Sequence, residues 1–475
     1  MLEKLEPIIR LLPEVKKPDR APGLQQKLMW TLGILLLYFI LGQIYPIGID
    51  PSAVQQRFER IDILLGSKLG TLITAGIGPI VLASIFLQLA VGAKIINLDL
   101  SVPKNKQLFQ GVQKILAIAL SFFEAAIYVF SGYIPSAGSV AGSAAVPLFG
   151  SIFITQLIVM LQLALGAIIL LYLDEVVQKY GIGSGISLFI AAGVSQAVFV
   201  GALSFLPAAV SGEPVGAIPK FIWHLTVGEG PAKAIFSMMP LIFTVIIFLV
   251  VVYIEGMKIE LPLAYGRARG LGAQYPIKFL YVSNMPVILA SAVLLNLQLM
   301  GLFLSNAGIG VLGTYQNNQP VDGLAYFITA LPSPQFFNGY DNYLQVITQP
   351  REIFHIFTYG IALISLCVIF GWFWIESTGM GASDIAKQLE SAGLQIPGFR
   401  QDPRVTQKIL EKYIPVITIL GSLFVGVLAW FADITGALGT GTGILLTVGI
   451  IYKFYEELAQ QQLFDMYPTL KGIVS

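Results

Sequence analysis

Residues 66–81 read Gly66-Ser-Lys-Leu-Gly-Thr-Leu-Ile-Thr-Ala-Gly-Ile-Gly-Pro-Ile-Val81, and two stretches of opposite character meet there. On the N-terminal side, residues 53–69 are apolar but interrupted by Arg57, Glu59, Arg60, Asp62 and Lys68, so as a helix they cannot cross hydrocarbon. On the C-terminal side, residues 72–96 carry one charge, Lys94, and are long enough to span. Backbone that enters a bilayer without crossing it survives only inside protein or against a water-filled cavity. This stretch predicts a cavity at membrane depth with a non-spanning segment folded into it.

Composition sets the class. Of 475 residues, 56% are hydrophobic and 12% charged, whereas a soluble domain carries about a quarter charged residues. The chain is an integral membrane protein. A net charge of +1 excludes general polyanion binding. The single cysteine, Cys367, cannot form an internal disulfide. No Asn-x-Ser/Thr sequon occurs, and no apolar run precedes residue 24 to suggest a cleavable signal.

Working outward from residues 66–81, apolar runs of spanning length lie at 24–45, 72–96, 109–134, 149–173, 184–206, 235–254, 277–304, 353–375, 413–431 and 440–458. These ten predicted spans put both termini on one side. Loops on that side hold 22 of the 28 Lys and Arg, and the opposite loops hold 6, so both termini are expected in the cytoplasm. Counting 53–69 as a span would invert every later loop and collapse the asymmetry. The re-entrant reading is the consistent one.

The expected organisation is a cytoplasmic amphipathic segment 1–23, a first half 24–206 and an external hinge loop 207–234. A second half 235–475 follows, with elaborate cytoplasmic loops at 256–276 and 376–412. Leu5, Ile8, Ile9 and Leu12 recur at helical spacing, which predicts a short surface helix ended by Pro13 and Pro18. The external loop before the eighth span is rich in Asn, Gln, Gly and Pro, and long ordered loops are commonly functional.

Soluble-enzyme signatures are absent. No His-Glu-x-x-His or phosphate-binding Gly-x-x-x-x-Gly-Lys-Ser/Thr occurs, and His224 and His355 lie far apart. Gly181-Ile-Gly-Ser-Gly-Ile and Gly439-Thr-Gly-Thr-Gly-Ile open apolar helices rather than following strands, which excludes a dinucleotide fingerprint. Ser184 has no nearby base. Glu124 is the one carboxyl deep within a span, while Asp174, Glu255, Glu376 and Lys453 lie toward cytoplasmic ends where water is expected to reach them. Ile77 and Val81, and Ile182 and Ile186, are each four apart beside a glycine break, so each pair shares a helix face. Converging faces of this kind would form an apolar constriction. The competing reading is a secondary transporter with a broken-helix midplane site, but almost no polar ligand gathers at these breaks.

The runs Gly70-Thr-Leu-Ile-Thr-Ala-Gly-Ile-Gly-Pro-Ile-Val, Leu108-Phe-Gln-Gly, Tyr172-Leu-Asp-Glu and Lys179-Tyr-Gly-Ile-Gly-Ser-Gly-Ile carry a resemblance. So do Glu260-Leu-Pro-Leu-Ala-Tyr-Gly-Arg, Tyr275-Pro-Ile-Lys-Phe-Leu-Tyr-Val-Ser-Asn-Met-Pro and Gly436-Ala-Leu-Gly-Thr-Gly-Thr-Gly. In order from first span to last, they resemble the SecY family, the large subunit of the protein-conducting channel, in its archaeal and eukaryotic branch. The resemblance implies an all-α polytopic protein of ten transmembrane helices in two pseudo-symmetric five-helix halves, with a short re-entrant plug helix. It implies a passive pore that translocates secretory polypeptides and releases membrane helices laterally, with no catalysis and no cofactor.

By resemblance the pore ring is Ile77, Val81, Ile182, Ile186, Met285 and Leu446, Met285 standing where isoleucine is usual. The plug is Ile61, Asp62, Ile63, Leu64, Leu65, Gly66, Ser67, Lys68 and Leu69. The second and seventh spans border a lateral gate with Gln88, Asn284 and Asn296 as its polar residues, and Arg267, Arg269 and Arg400 would dock the ribosome. Implied partners are a SecE-type one-span subunit, a second small subunit of the Sec61-beta type, the ribosome, signal-sequence-bearing polypeptides and the lipid bilayer.

Overall fold

The computed structural model describes residues 6–18, 20, 22–49, 70–92, 95–96, 103–138, 147–207, 212–227, 230–265, 272–282, 284–316, 319–331, 334, 339–391, 394–395 and 403–466. The expected plug, Ile61 to Leu69, and the arginines Arg267, Arg269 and Arg400 lie outside the described residues.

A short helix α1 (Glu6–Leu11) precedes the first five long elements: α2 (Leu24–Leu41), α3 (Gly78–Gly92), α4 (Pro103–Phe130), α5 (Ile152–Tyr180) and α6 (Gly185–Leu203). A connecting helix α7 (Ala217–Val227) occupies the expected hinge loop and packs on α6 and on α8 (Pro231–Glu255). After α8 come β1 (Lys258–Tyr265), β2 (Gly272–Lys278) and α9 (Met285–Asn306). The loop before α12 then folds into β3 (Tyr315–Gln316), β4 (Gln319–Pro320), α10 (Leu324–Ile328) and α11 (Tyr340–Ile347). The chain ends with α12 (Pro350–Thr378), α13 (Ala382–Ser391), β5 (Leu394–Gln395), α14 (Pro403–Ile434) and α15 (Gly441–Met466).

Each of the ten expected spans is met by one long helix. Eight are long and apolar enough to cross by themselves, counting α12 with α13 as one run. The other two are α3, whose 15 residues rise only about 22 Å, and α15, which carries Lys453, Glu456 and Glu457 from its midpoint on. The second span was expected from residue 72, but helix begins at Gly78. Residues 70–77 are turns, with Thr71, Ile73, Thr74, Ala75 and Ile77 buried. Gly70 and Gly76 take left-handed φ of 80° and 55°, which a glycine adopts without Cβ strain. The seventh span, expected from residue 277, starts at Met285, because 272–278 is taken into a sheet.

That sheet lies in loops read only as elaborate. β1 pairs antiparallel with β2 from Lys258↔Lys278 to Ala264↔Gly272, and β5 adds to the other edge of β1 at Ala264↔Gln395 and Tyr265↔Leu394. The loops after α8 and after α12 are thereby joined in one sheet.

The halves repeat their neighbours. In the first, α2 touches α5 and α6, α3 touches α4, α4 touches α5, and α5 touches α6. In the second, α8 touches α14 and α15, α9 touches α12, α12 touches α14, and α14 touches α15. These are the same contacts displaced by five helices. The halves meet on two seams, α3 and α4 against α9 and α12 on one side, α6 against α15 on the other. The main apolar cluster runs through both, from Ile34 and Phe189 to Val287, Leu363 and Leu445. Outward faces are apolar as well, with Leu249, Phe357 and Ile361 exposed as lipid contact requires.

Candidate functional site: the apolar centre and its seams

Ile77 and Leu446 (each 2% exposed) belong to the main apolar cluster, and Val81 and Ile186 pack against it. Ile182 is buried, at 5%. On α9, Ile288 packs on this cluster, whereas Met285, half-buried in the first turn, is not among its members. The expected ring residues lie in or shortly after breaks in helix: Ile77 and Ile182 inside the 70–77 and Gly181–Ser184 turns, Val81 and Ile186 just beyond them, Met285 at the start of α9, and Leu446 in α15 beyond the Gly436–Thr440 turn. Breaks bring main chain, not only side chains, to the centre.

The polar residues expected at the gate bond differently. Gln88 Nε2 donates to Ser84 Oγ at 2.9 Å and Asn296 Nδ2 to the Ala292 carbonyl at 2.8 Å, both within their own helices. Asn284 instead donates across the second half, to the carbonyls of Leu445 (3.1 Å) and Leu446 (3.5 Å) on α15. Helix α3 itself contacts both α9 and α12. Glu124 is 4% exposed and its Oε1 has no hydrogen-bond partner among the described residues.

One sequence expectation is corrected. Asp174 and Glu255, expected to reach water, are each only 6% exposed. Asp174 is held in by donors: the Ile186 amide at 2.9 Å, Ser184 Oγ at 3.3 Å and Gln178 Nε2 at 2.8 Å. A buried carboxylate so surrounded is satisfied. Tyr172-Leu-Asp-Glu stands about two helical turns before the glycine-rich break at Gly181, and a fold-back of the chain onto Asp174 is not legible from that spacing. Glu376 and Lys453 are exposed as expected.

The N-terminal segment does more than lie on a surface. Ile9 of α1 packs on a cluster of Leu87, Phe109 and Val112. Lys114 Nζ donates to the Pro13 carbonyl at 2.7 Å and pairs with Glu175 at 2.8 Å; the Val15 amide donates to Glu175 Oε1 at 3.1 Å. Lys179 pairs with Glu14 at 3.0 Å, and Tyr180 Oη donates to the Lys16 carbonyl at 2.9 Å. The segment is strapped across α4 and the C-terminal end of α5.

No cluster of three or more His, Cys, Asp or Glu able to hold a metal occurs among the described residues. Comparison with known proteins points one way. The SecY family model matches residues 71–455. The protein translocase subunit SecY of Methanothermobacter thermautotrophicus is 46% identical over 477 residues, covering 99% of this chain and 98% of that one. Its counterpart in Methanocaldococcus jannaschii is 44% identical over 476 residues and the whole of both chains. Among solved structures, one described as a protein conducting channel aligns with TM-score 0.80 at 43% identity over 98% of each chain. Sec61 in the canine ribosome-channel complex aligns at 0.78 with 43% identity over 98% of each. The solute-transporter reading is set aside by these matches. With its ten helices in two repeated halves, and a match that runs from the first break to the last helix, the chain belongs to the SecY family.

Proposed function

We propose that this chain forms a protein-conducting channel between its two halves, across which secretory polypeptides pass and from which membrane helices leave sideways. The observation that carries the reading is the paired architecture: two bundles with the same internal contacts, joined on two seams, with Ile77, Val81, Ile186 and Leu446 in or against one apolar cluster. A narrow aliphatic constriction dewets and so blocks ions, yet offers a sliding chain no fixed charge or hydrogen bond.

In this reading the seal is Ile77, Val81, Ile182, Ile186 and Leu446. From α9, the expected Met285 and Ile288, which packs against the main cluster, are the candidate contributions. The gate is the seam of α3 with α9 and α12, with Gln88 and Asn296 near it; Asn284 serves α15 instead. Residues 61–69 act as a plug. Related structures include a study of a SecY plug domain that stabilises the closed channel, with TM-score 0.79 and 43% identity.

The protein is multi-pass. Placement in the cytoplasmic membrane with both termini inside follows from the 22-to-6 split of Lys and Arg. The joined sheet of the two cytoplasmic loops is the platform for a ribosome, Arg267, Arg269 and Arg400 contributing charge-assisted contacts to phosphate or acidic groups. SecE-type and Sec61-beta-type small subunits complete the assembly. The pore is passive and the driving force comes from the partner.

The test uses reconstituted vesicles. Replacing Ile77, Ile182 and Ile186 by glycine or serine is expected to raise resting ion leak, and removing residues 61–69 to cause transient openings. Native tightness in both would reject the seal and the plug respectively.

A further inference from the structure

Three residues of the proposed seal have their main chain, not their side chain, held by a polar group from another helix. The Ile182 amide donates to Thr31 Oγ1 of α2 at 3.1 Å. The Ile186 amide donates to Asp174 Oδ1 of α5 at 2.9 Å. The Leu446 carbonyl, with that of Leu445, accepts from Asn284 Nδ2 at the start of α9. For Ile182 and Ile186 the bond reaches an amide that a helix break leaves without an intrahelical partner; the Leu446 carbonyl lies inside α15, where Asn284 adds a second donor to a main-chain acceptor.

Each anchor also approaches through a glycine. A Cβ at Gly181 would stand 3.0 Å from Thr31 Oγ1 and 2.9 Å from the Val177 carbonyl oxygen. At Gly185 it would stand 2.6 Å from Asp174 Cα and 2.9 Å from Asp174 Oδ1, and at Gly449 it would stand 2.1 Å from Asn284 Nδ2. Thr31 spends its own proton on the Lys27 carbonyl at 2.9 Å, leaving a lone pair for Ile182. The Asn284 orientation follows from its acceptors, because only the amide nitrogen can bond two carbonyls.

We propose that Thr31, Asp174 and Asn284 are positioning residues of the channel seal: polar anchors, half-buried at Thr31 and buried at Asp174 and Asn284, that fix the backbone carrying Ile182, Ile186 and Leu446, with Gly181, Gly185 and Gly449 clearing their way. This rests on the reading of those three as seal residues. The physical need is specific. A dewetting constriction fails if its side chains retreat by an ångström or so, and aliphatic contacts alone are non-directional. Hydrogen bonds are directional and, where water is excluded, costly to leave unmade. The polar shell behind the ring therefore sets its diameter while the ring's surface stays greasy. It also assigns the glycine-rich runs a role that neither nucleotide binding nor simple helix packing supplies.

The experiment measures resting ion conductance per translocation-competent channel, with the full chain in its native complex in vesicles. Thr31→Val, which keeps the side-chain shape, Asp174→Leu and Asn284→Leu are each expected to raise the leak several-fold. Asp174→Asn, which keeps an Oδ1 acceptor, is expected to stay near native tightness. Thermal midpoints are read in parallel, since a merely structural role would lower them and leave conductance unchanged. If Asp174→Leu does not assemble, Thr31→Val and the Asp174→Asn comparison carry the test. Leak in Ile182→Ser and Ile186→Gly, with native tightness in all three anchor variants, would overturn the proposal alone. Native tightness in the ring variants themselves would overturn the seal reading, and the anchors' role with it.

Discussion

At the scale of single residues, glycine decides how closely main chain can approach main chain. A Cβ at Gly166 on α5 would lie 1.7 Å from the Leu72 carbonyl oxygen, a backbone atom that cannot swing aside. Gly166→Ala is therefore expected to displace the 70–77 turn and to cost at least the 1–3 kcal/mol typical of overpacking, read as a fall in the thermal midpoint in detergent. Glu124 makes the opposite case. Its buried Oε1 has no hydrogen-bond partner among the described residues, so the isosteric Glu124→Gln is expected to keep both stability and polypeptide transport. Loss of transport with the fold intact would give that carboxyl a part in the channel's work. The sequence marked Glu124 as unusual because a carboxyl in a span is rare. It could not mark Asp174, because a carboxyl near a span end looks solvated until the following helix start folds back onto it.

At the scale of elements, the N-terminal strap and the external clasp show how short segments are held. Residues 13–16 are tied by Lys114, Glu175 and Lys179, whose side chains are 14–18% exposed. Hydrogen bonds to charged groups contribute about 1.5–3 kcal/mol, and partial exposure lowers that. Glu175→Ala is expected to release the strap, seen as faster amide exchange at Val15 with α5 itself still protected. On the far side, Tyr326 of α10 donates to Glu352, His355 Nε2 lies 2.8 Å from the Thr329 carbonyl, and Arg351 stacks 4.7 Å from the Tyr326 ring. Burial, with the Glu352 carboxylate beside it, pushes the Tyr326 phenol up to about 12, so it stays a donor at any ordinary pH. Tyr326→Phe is expected to loosen residues 324–329, read as faster protease cleavage there. Hydropathy locates neither device, because both depend on which helix ends the fold brings together.

At the scale of the whole molecule, the two seams differ in kind. On one side α6 packs on α15 and closely on the turn that leads into it, where a Cβ at Gly201 or Gly439 would meet Leu438 or Val198 at 2.9 Å. A chain moving between the halves would part the other seam, where α3 faces α9 and α12. A covalent bridge between α3 and α12 is thus expected to stop lateral release of membrane helices, while one between α6 and α15 leaves it intact. Crosslinking a stalled, signal-bearing chain to α3 and α9 reads the same seam directly, and absence of any adduct would count against it.

The sequence by itself determined the class, the ten spans, the expected orientation and the breaks at Gly76, Gly181 and Gly439, because hydropathy, charge placement and glycine act locally along the chain. Opening on residues 66–81, it also required irregular backbone at membrane depth, and 70–77 is that backbone, buried rather than helical. Only the tertiary structure decided that the second span is a short helix entered through this turn and that the loops after α8 and α12 share a sheet. It alone paired Thr31 with Ile182, Asp174 with Ile186 and Asn284 with Leu446. Those pairings join residues up to 162 apart in the chain, and a hydrogen bond across such a separation leaves no periodicity in the sequence to be read.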